Sequence, residues 1–250
     1  MRSTDYKKGQ GMDINTNMLS SVSRRELKYL ISYEKSPELQ DELGRLLRTD
    51  IYSQNGYYNV RSLYFDSFKN IDFSQKYDGT ENRKKIRLRI YSSKQQNAKL
   101  ELKEKRGAYQ KKHSLIVDKD AALDIINGGY GRLLEYNDSD NTACRLYSLL
   151  TLGAYRPAVV VEYERRAFAY DEFNTRITFD RYVKSCECWY DIYRDDIPYI
   201  PVFSDYVILE VKFNTALIES VKNILGEYDL TNVSLGKYGS SRPLAARYIL

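Results

Sequence analysis

The sequence predicts an α+β fold built around a largely antiparallel β-sheet. At least five segments alternate charged side chains with aliphatic ones, the pattern of strands with one polar and one apolar face. Polar or glycine-containing turns join many of these segments directly, as in β-hairpins, and helical segments are inserted at intervals. Hairpin connections favour antiparallel pairing, and the inserted helices would cover the apolar face of the sheet.

The composition favours a globular domain with an anionic partner. The 250-residue chain carries a net charge of +5. No run approaches the roughly 18 apolar residues that span a bilayer, so we expect no direct membrane insertion. Three cysteines and no signal-peptide pattern favour a cytoplasmic setting. The basic residues alternate within strands and form no patch or arginine-rich run, so nucleic-acid binding is not expected.

The beginning of the chain predicts a flexible N-terminal tail over residues 1–22, which are polar, rich in Gly, Asn and Ser, and aperiodic. A single domain is expected over residues 23–250. Its first strand, at 24–31, places Glu26 and Lys28 on the same face because side chains alternate along a strand.

The helices are predicted from caps and apolar stripes. A first helix is expected with Ser36 as N-cap and Pro37 at its first position. Its apolar stripe consists of Leu39, Leu43, Leu46 and Leu47. Further helices are expected at about 68–77, 118–126 and 140–152, from a cap at Asn214 to about 225, and near the C-terminus.

The strand at about 82–91 has the clearest pattern. One face carries Lys85, Arg87, Arg89 and Tyr91, and the other carries Ile86, Leu88 and Ile90. Other strands are expected at about 59–66, 99–105, 109–117, 157–168, 175–180 and 206–213. Within them, Tyr163 shares a face with Arg165, and Glu210 shares a face with Lys212.

The charged faces allow two arrangements. In an open sheet they would contact water, whereas in a wide barrel of about eight strands they would line a lumen. They are heavy in Arg and Lys, with one glutamate recurring beside them (Glu26, Glu101, Glu210). Guanidinium and ammonium groups bind phosphate oxygens and carboxylates bind Mg²⁺ or Mn²⁺, so a lumen of this kind would suit a polyanion with a divalent metal.

Eight short motifs then occur in the order seen in a known family. They are Glu26-x-Lys28-Tyr29, Ser62-Leu-Tyr-Phe-Asp66, Lys85-Ile-Arg-Leu-Arg89, Glu101-Leu-Lys103, Tyr163-Glu-Arg-Arg-Ala-Phe168, Arg176-Ile-Thr-Phe-Asp180, Leu209-Glu-Val-Lys-Phe213 and Gly236-Lys-Tyr238. Over about residues 24–248 the chain resembles the VTC domain, the polyphosphate-polymerase domain of the vacuolar transporter chaperone complex and its bacterial relatives. That domain belongs to the triphosphate tunnel metalloenzyme superfamily.

The resemblance implies an antiparallel β tunnel barrel with helices outside, which transfers the γ-phosphate of ATP onto inorganic polyphosphate with Mn²⁺ or Mg²⁺. It implies phosphate binding by Lys28, Arg61, Arg87, Arg89, Lys103, Tyr163, Arg165, Arg176 and Lys237. Among these, Lys237, Arg165 and Arg87 would be catalytic, and Glu210 would bind the metal. Family relatives often work beside membrane proteins, so a membrane-protein partner is conceivable.

Several alternatives stay open. Lys28 and Lys103 also suit solvated strand positions, and Glu210 could pair with Lys212 instead of a metal. Glu101 fits a position near the metal or a salt bridge equally well.

The C-terminal motif departs from the family pattern, because Gly236 replaces a serine and the earlier basic position holds Ser234 or Val233. This departure favours a binding module without turnover as a second hypothesis. A third is a triphosphatase or adenylate cyclase of the superfamily, which the segment 163–168 disfavours.

Overall fold

A computed structural model describes residues 24–107, 109–136, 138–228, 230–234 and 236–242 of the chain. The predicted flexible tail and most of the predicted C-terminal helix lie outside the described residues. In the described part, no helix is long and apolar enough to cross a membrane.

Ten strands are described: β1 Arg24–Ser32, β2 Arg48–Thr49, β3 Tyr58–Ser67, β4 Arg83–Ile90, β5 Asn97–Arg106, β6 Tyr109–Asp118, β7 Tyr155–Tyr170, β8 Thr175–Cys186, β9 Ile200–Pro201 and β10 Tyr206–Asn214. The α-helices are α1 Ser36–Leu46, α2 Ile71–Tyr77, α3 Lys119–Ile126, α4 Thr142–Leu152, α5 Glu219–Gly226 and α6 Lys237–Ser240. Short 3₁₀ helices occur at Ile51–Ser53, Tyr130–Glu135 and Glu172–Asn174.

The strands form one sheet in the order β1-β10-β8-β7-β3-β4-β5-β6, and every described pair is antiparallel. The predicted antiparallel α+β architecture is confirmed. Among the described residues no ladder joins the edge strands β1 and β6, so backbone hydrogen bonds do not close the barrel. The sheet nevertheless curls strongly. This is shown by Lys103 on β5, whose Nζ lies 3.7 Å from Glu26 Oε2 on β1 although the two strands are far apart in the sheet order.

The convex face of the sheet holds two apolar cores. One packs α3 and α4 against β3 to β6 and contains Leu88 and Leu100, which are fully buried. The other packs α1 and α5 against β1, β8 and β10 and contains Leu43 and Phe179. The alternation read from the sequence is therefore confirmed, since the aliphatic positions of the strands are those that meet the helices.

One end of the concave face is filled by a smaller apolar cluster. Tyr64 on β3 contacts Tyr238 on α6 with ring centroids 5.3 Å apart, and Phe73 on α2 packs edge-on against Tyr238. The Tyr238 hydroxyl donates to buried Asp66, which also accepts the backbone N–H groups of α2. These contacts fix α2 and α6 together inside this end of the curled sheet.

A β-bulge changes which residues of β8 face the lumen. Between the pairs Glu162–Lys184 and Glu164–Arg181, β8 has two residues where β7 has one, and Tyr182 adopts a φ of 52° there. Before the bulge the even-numbered residues up to Asp180 share the concave face, and after it the odd-numbered Val183 joins the apolar cluster.

Two predicted helix caps are wrong. Ser36 lies inside α1, after Lys35 as the capping residue, and its hydroxyl accepts from Gln40 Nε2 at 2.8 Å. Asn214 lies in β10, where it pairs with β1, and α5 begins only at Glu219. The ladder with β1 extends the strand through the position at which the sequence suggested a helix start.

The core packing predicts the effect of a truncation in β4. Leu88→Ala removes a fully buried side chain facing α3 and α4, and we expect a loss of about 2–5 kcal/mol in the free energy of unfolding. Urea unfolding measures it. The control Leu152→Ala removes a side chain that is 88% exposed and should change stability by less than about 0.5 kcal/mol. Equal losses in both variants would contradict the packing described.

Candidate functional site

The concave face of the sheet gathers all but one of the predicted site residues. Cross-strand pairs carry a common face from β1 to β6, because directly paired residues point to the same side of a sheet. The residues on it are Lys28, Arg87, Arg89, Lys103, Tyr163, Arg165, Arg176 and Glu210, and Lys237 reaches the same space from α6. Nine positions that are distant in sequence therefore surround one lumen.

Arg61 is the exception. It pairs across the sheet with Ile90 and Glu162, on the convex face. Its guanidinium is bound by the Glu162 carboxylate and by the carbonyl oxygens of Ile192 and Arg194 at 2.7 and 2.6 Å. The structure thus separates Arg61 from the lumen, and we do not carry its predicted phosphate-binding role forward.

Asp180 lies at the centre of the lumen and is fully buried. Arg165 donates to both of its oxygens, with Nε–Oδ1 and Nη2–Oδ2 distances of 2.6 and 2.7 Å, and Lys237 Nζ pairs with the same carboxylate. Burial alone would raise the pKa of Asp180, but the charges of Arg165 and Lys237 hold it below its ordinary value. One carboxylate therefore fixes a guanidinium and an ammonium in place.

Glu101 forms a second such centre on β5. Arg87 Nε donates to it at 2.6 Å, and Lys112 on β6 pairs with its other oxygen. Burial raises the pKa of Glu101, while Arg87, Arg89 and Lys112 lower it to about 2, so the group is ionised at neutral pH. Of the two interpretations left open by the sequence, the structure places Glu101 in a salt bridge.

Glu210 lies among cations on β1 and β10. Lys212 pairs with it, Lys28 Nζ lies 3.6 Å away and Arg165 Nη2 lies 4.0 Å away. Burial raises the pKa of Glu210, but the charges of Lys212, Lys237 and Lys28 keep it well below its ordinary value. The pairing with Lys212, considered from the sequence, is thus present.

Glu210 and Glu26 are the carboxylates that fit a divalent cation. Lys28 Nζ contacts both of them, Glu26 at 2.8 Å and Glu210 at 3.6 Å, and Mg²⁺ is commonly held by one or two carboxylates together with substrate phosphates. In the described part of the chain, no group of three or more His, Cys, Asp or Glu residues forms an all-protein metal site. A metal held here would therefore depend on phosphate oxygens to complete its ligands.

Tyrosines contribute to the lumen beside Arg89. The Arg89 guanidinium donates to Ser62 Oγ at 3.0 Å and to the Tyr163 hydroxyl at 3.4 Å. Burial would raise the pKa of the Tyr64 phenol, but the nearby charges of Lys85, Arg87, Arg89 and Lys237 lower it to about 7. The shift indicates a strongly positive potential at this point.

Cations outnumber carboxylates throughout the described lumen. The cations are Lys28, Lys85, Arg87, Arg89, Lys103, Lys112, Arg165, Arg176, Lys212 and Lys237, and the carboxylates are Glu26, Asp50, Glu101, Asp180 and Glu210. The arrangement is suited to a bound polyanion, whose oxygens can replace the internal carboxylates as hydrogen-bond acceptors.

Sequence reasoning assigned no role to Asp180, Lys85, Lys112 or Lys212. Lys85 and Lys212 alternate in phase with assigned residues, so the strand pattern already indicated their face. Asp180 likewise alternates in phase with Arg176, but its ion pairs with Arg165 and Lys237 depend on neighbours that the strand pattern does not show.

Lys76 on α2 lies beside the altered C-terminal motif. Its Nζ lies 3.3 Å from Ser234 Oγ, and its Cε lies 3.6 Å from the position that a Cβ would occupy at Gly236. Burial and the charges of Arg83, Lys28 and Lys105 lower the pKa of Lys76. A cation from α2 thus lies where the resemblance expects one from the C-terminal segment.

A rolled antiparallel sheet with a cation-rich lumen and helices outside defines a phosphate-tunnel protein. The comparisons with known proteins agree. The model of the VTC domain matches residues 23–245, so this chain belongs to the VTC domain family, and its fold is that of the triphosphate tunnel proteins. None of the curated protein sequences compared with the chain matches it.

One solved structure with a TM-score above 0.5 supports the fold, and a second aligns with a lower score. A candidate adenylate cyclase from Bacillus halodurans aligns with a TM-score of 0.51 at 15% identity, covering 86% of this chain and 93% of that one. The PH1012 protein from Pyrococcus horikoshii OT3 aligns with a TM-score of 0.48 at 14% identity, covering 88% and 99%. At these identities the likeness concerns the fold alone.

The Glu101 salt bridge predicts a pH-dependent stability difference. Because the pKa of folded Glu101 is below its ordinary value, its contribution is complete above about pH 4.5 and disappears as the pH falls towards 2. We expect Glu101→Gln to be less stable by about 2–3 kcal/mol at pH 7, with the difference vanishing near pH 2. Urea unfolding across this range measures it, with the exposed Glu219→Gln as control; a difference independent of pH would contradict the assignment.

The potential at Tyr64 predicts a tyrosine that ionises near neutral pH. Ultraviolet difference titration of the native protein should detect tyrosinate forming around pH 7, well below the ordinary range near 10. Tyr64→Phe should remove that transition and the exposed Tyr109→Phe should retain it. Tripolyphosphate should move the midpoint upward, because its negative charge offsets the surrounding cations. A transition that survives in Tyr64→Phe would exclude the assignment.

Proposed function

We propose that this protein is a polyphosphate polymerase that transfers the γ-phosphate of ATP onto an inorganic polyphosphate chain inside the tunnel. The observation that carries the proposal is the convergence of Arg87, Arg89, Arg165 and Lys237 on one lumen, each held in place by a protein partner. Phosphoryl transfer depends mainly on positioning and charge stabilisation, and fixed cations supply both.

The reaction needs little proton transfer. An oxygen of the terminal phosphate of polyphosphate, largely ionised at neutral pH, forms a bond to the γ-phosphorus of ATP. The bond from that phosphorus to the β–γ bridging oxygen breaks, and ADP leaves with the electron pair. This scheme suits a chain whose single histidine, His113, lies on the convex face beside Glu104.

The lumen residues take distinct roles in this proposal. Arg87 and Arg89 bind oxygens from the β4 side, while Arg165 and Lys237 bind the transferring phosphate from the opposite side. Lys28, Lys103 and Arg176 extend the cationic path, and the Tyr163 hydroxyl donates a hydrogen bond. Glu210, with Glu26, would hold Mg²⁺ or Mn²⁺. When bound, the metal would offset charge on the phosphate oxygens.

Binding without turnover is the second candidate. It is favoured by the altered C-terminal motif, in which Gly236 replaces a serine. A cytoplasmic setting and a membrane-protein partner stay predictions.

The deciding experiment incubates purified protein with ATP and Mn²⁺ and separates the products on a gel stained for polyphosphate. We expect chains from the native protein and a loss of about 100-fold or more in Arg87→Ala and in Glu210→Gln, because each removes a charge from the lumen. The matched controls Arg48→Ala and Glu219→Gln change exposed residues outside the lumen and should retain activity.

Urea unfolding of each variant separates lost activity from lost folding. Full activity in both lumen variants would contradict the tunnel as the reaction site. Tight binding of ATP and polyphosphate without product would favour the second candidate. Release of free phosphate or hydrolysis of tripolyphosphate, without chains, would indicate a triphosphatase.

A further inference from the structure

One end of the lumen is lined by three tyrosines. The rings of Tyr52 and Tyr58 lie with centroids 6.1 Å apart, and those of Tyr58 and Tyr91 are also 6.1 Å apart. Tyr52 is 74% exposed and Tyr91 is 44% exposed, whereas Tyr58 between them is half-buried. The three rings thus form a continuous aromatic wall, here called the tyrosine wall, with surface open to solvent.

The tyrosine wall directly continues the cation cluster. Tyr58 on β3 lies opposite Arg165 in the ladder with β7, and Tyr91, one residue past the end of β4, brings its ring centroid to 6.1 Å from that of Tyr58. Burial raises the pKa of the Tyr58 phenol, and the nearby charges of Arg165 and Arg176 partly offset this increase. Because Tyr58 is paired directly with Arg165, the wall begins beside an arginine of the proposed phosphate site.

The position of Tyr52 is tied to the lumen as well. Asp50 accepts the backbone N–H of Tyr52 at 3.1 Å through one carboxylate oxygen and pairs with Arg176 through the other. The short 3₁₀ helix that carries Tyr52 is therefore fixed to a residue of the cation cluster. This linkage holds the exposed ring at the edge of the tunnel.

The other end of the described lumen differs in chemistry. There α2 and α6 insert the rings of Phe73 and Tyr238, and the cationic groups of Lys85 and Arg242 lie 5.5 and 6.0 Å from the Tyr238 ring centroid. Exposed aromatic surface is therefore present at the tyrosine wall and not at this filled end. A ligand with phosphates at the arginines and a planar ring at one end could place that ring against the tyrosine wall.

We infer that Tyr52, Tyr58 and Tyr91 form the subsite that stacks the base of the nucleoside triphosphate. This inference rests on the proposed use of a nucleotide in the tunnel and adds where the nucleoside lies. Only the ribose separates the α-phosphate from the base, so phosphates at Arg89 and Arg165 bring the base to the wall. Aromatic rings stack nucleobases through their π-faces.

The subsite should discriminate weakly among bases. Stacking tolerates every base because each has a π-face, whereas selection needs polar groups aimed at the base edge. The tyrosine wall presents aromatic rings for stacking, and its polar groups are the phenolic hydroxyls at the ring edges. We expect ATP and GTP to bind within a few-fold of each other, and both to bind more tightly than ribose 5-triphosphate, which lacks the base.

The test compares ligands that differ only beyond the phosphates. Calorimetric titrations of the full chain would measure ATP, ribose 5-triphosphate and tripolyphosphate against native protein, the double variant Tyr52→Ala/Tyr91→Ala, and its conservative counterpart Tyr52→Phe/Tyr91→Phe. The control is Tyr109→Ala, which removes a tyrosine that is 77% exposed on β6.

We expect the alanine variant to lose about tenfold in ATP affinity, with little change for tripolyphosphate and ribose 5-triphosphate. The phenylalanine variant and Tyr109→Ala should bind ATP as the native protein does. An equal loss for all three ligands would overturn the inference, since it would indicate a general disturbance of the tunnel.

Unchanged ATP affinity in the alanine variant would also overturn it, and would leave the proposed phosphate site intact. Native protein that binds none of the three ligands would instead contradict the proposed function, and the subsite with it. Failure of the subsite alone is therefore distinguishable from failure of the tunnel.

Discussion

The ion pairs of Asp180 are the interaction on which the arrangement of the lumen depends. Its carboxylate is fully buried and joins Arg165 of β7 to Lys237 of α6. Without it, two cations would face each other in a space with little water, a strongly unfavourable arrangement. Because α6 also carries Tyr238, which packs on Tyr64 and Phe73, the same carboxylate helps to fix the filled end of the tunnel.

The lumen is stable in the absence of ligand because its cations have internal partners. Arg87 contacts Glu101 and Lys28 contacts both Glu26 and Glu210. Phosphate oxygens offer the same acceptor chemistry as these carboxylates, so a ligand can replace them while the cations keep their orientation. In the proposed reaction, preorganised charge of this type would need little rearrangement during phosphoryl transfer. Electrostatic catalysis depends on this property.

Much of this arrangement could be predicted from the sequence because strand alternation is a local rule. Once Arg87 and Arg89 were placed on one face, the phase of Lys85 followed, and the structure agrees, whereas Tyr91 lies just past the end of β4. Arg61 was misassigned because motif resemblance was used without that rule. Ser62 faces Arg89 across the ladder, which puts Arg61 on the other side.

The remaining features depend on contacts between distant segments. Ser36 and Asn214 looked like helix caps locally, but packing and strand pairing determined where the helices begin. The strand pattern indicated the face of Asp180 but not its ion-pair partners, and a helix of four residues such as α6 has no periodicity from which its direction could be predicted. Lys237 was found by resemblance, whereas its partner could be found only in three dimensions.

The bulge in β8 allows one strand to contribute side chains to two spaces, the ionic lumen and the apolar cluster around Tyr238. Residues up to Asp180 contribute to the ionic lumen, and the extra residue at Tyr182 resets the phase so that Val183 meets the apolar cluster. A regular strand would keep one phase, and the side chain presented beyond Asp180 would come from Tyr182 or Lys184 instead of Val183. A single additional residue in the backbone of β8 therefore sets the boundary between the charged lumen and the aromatic cluster.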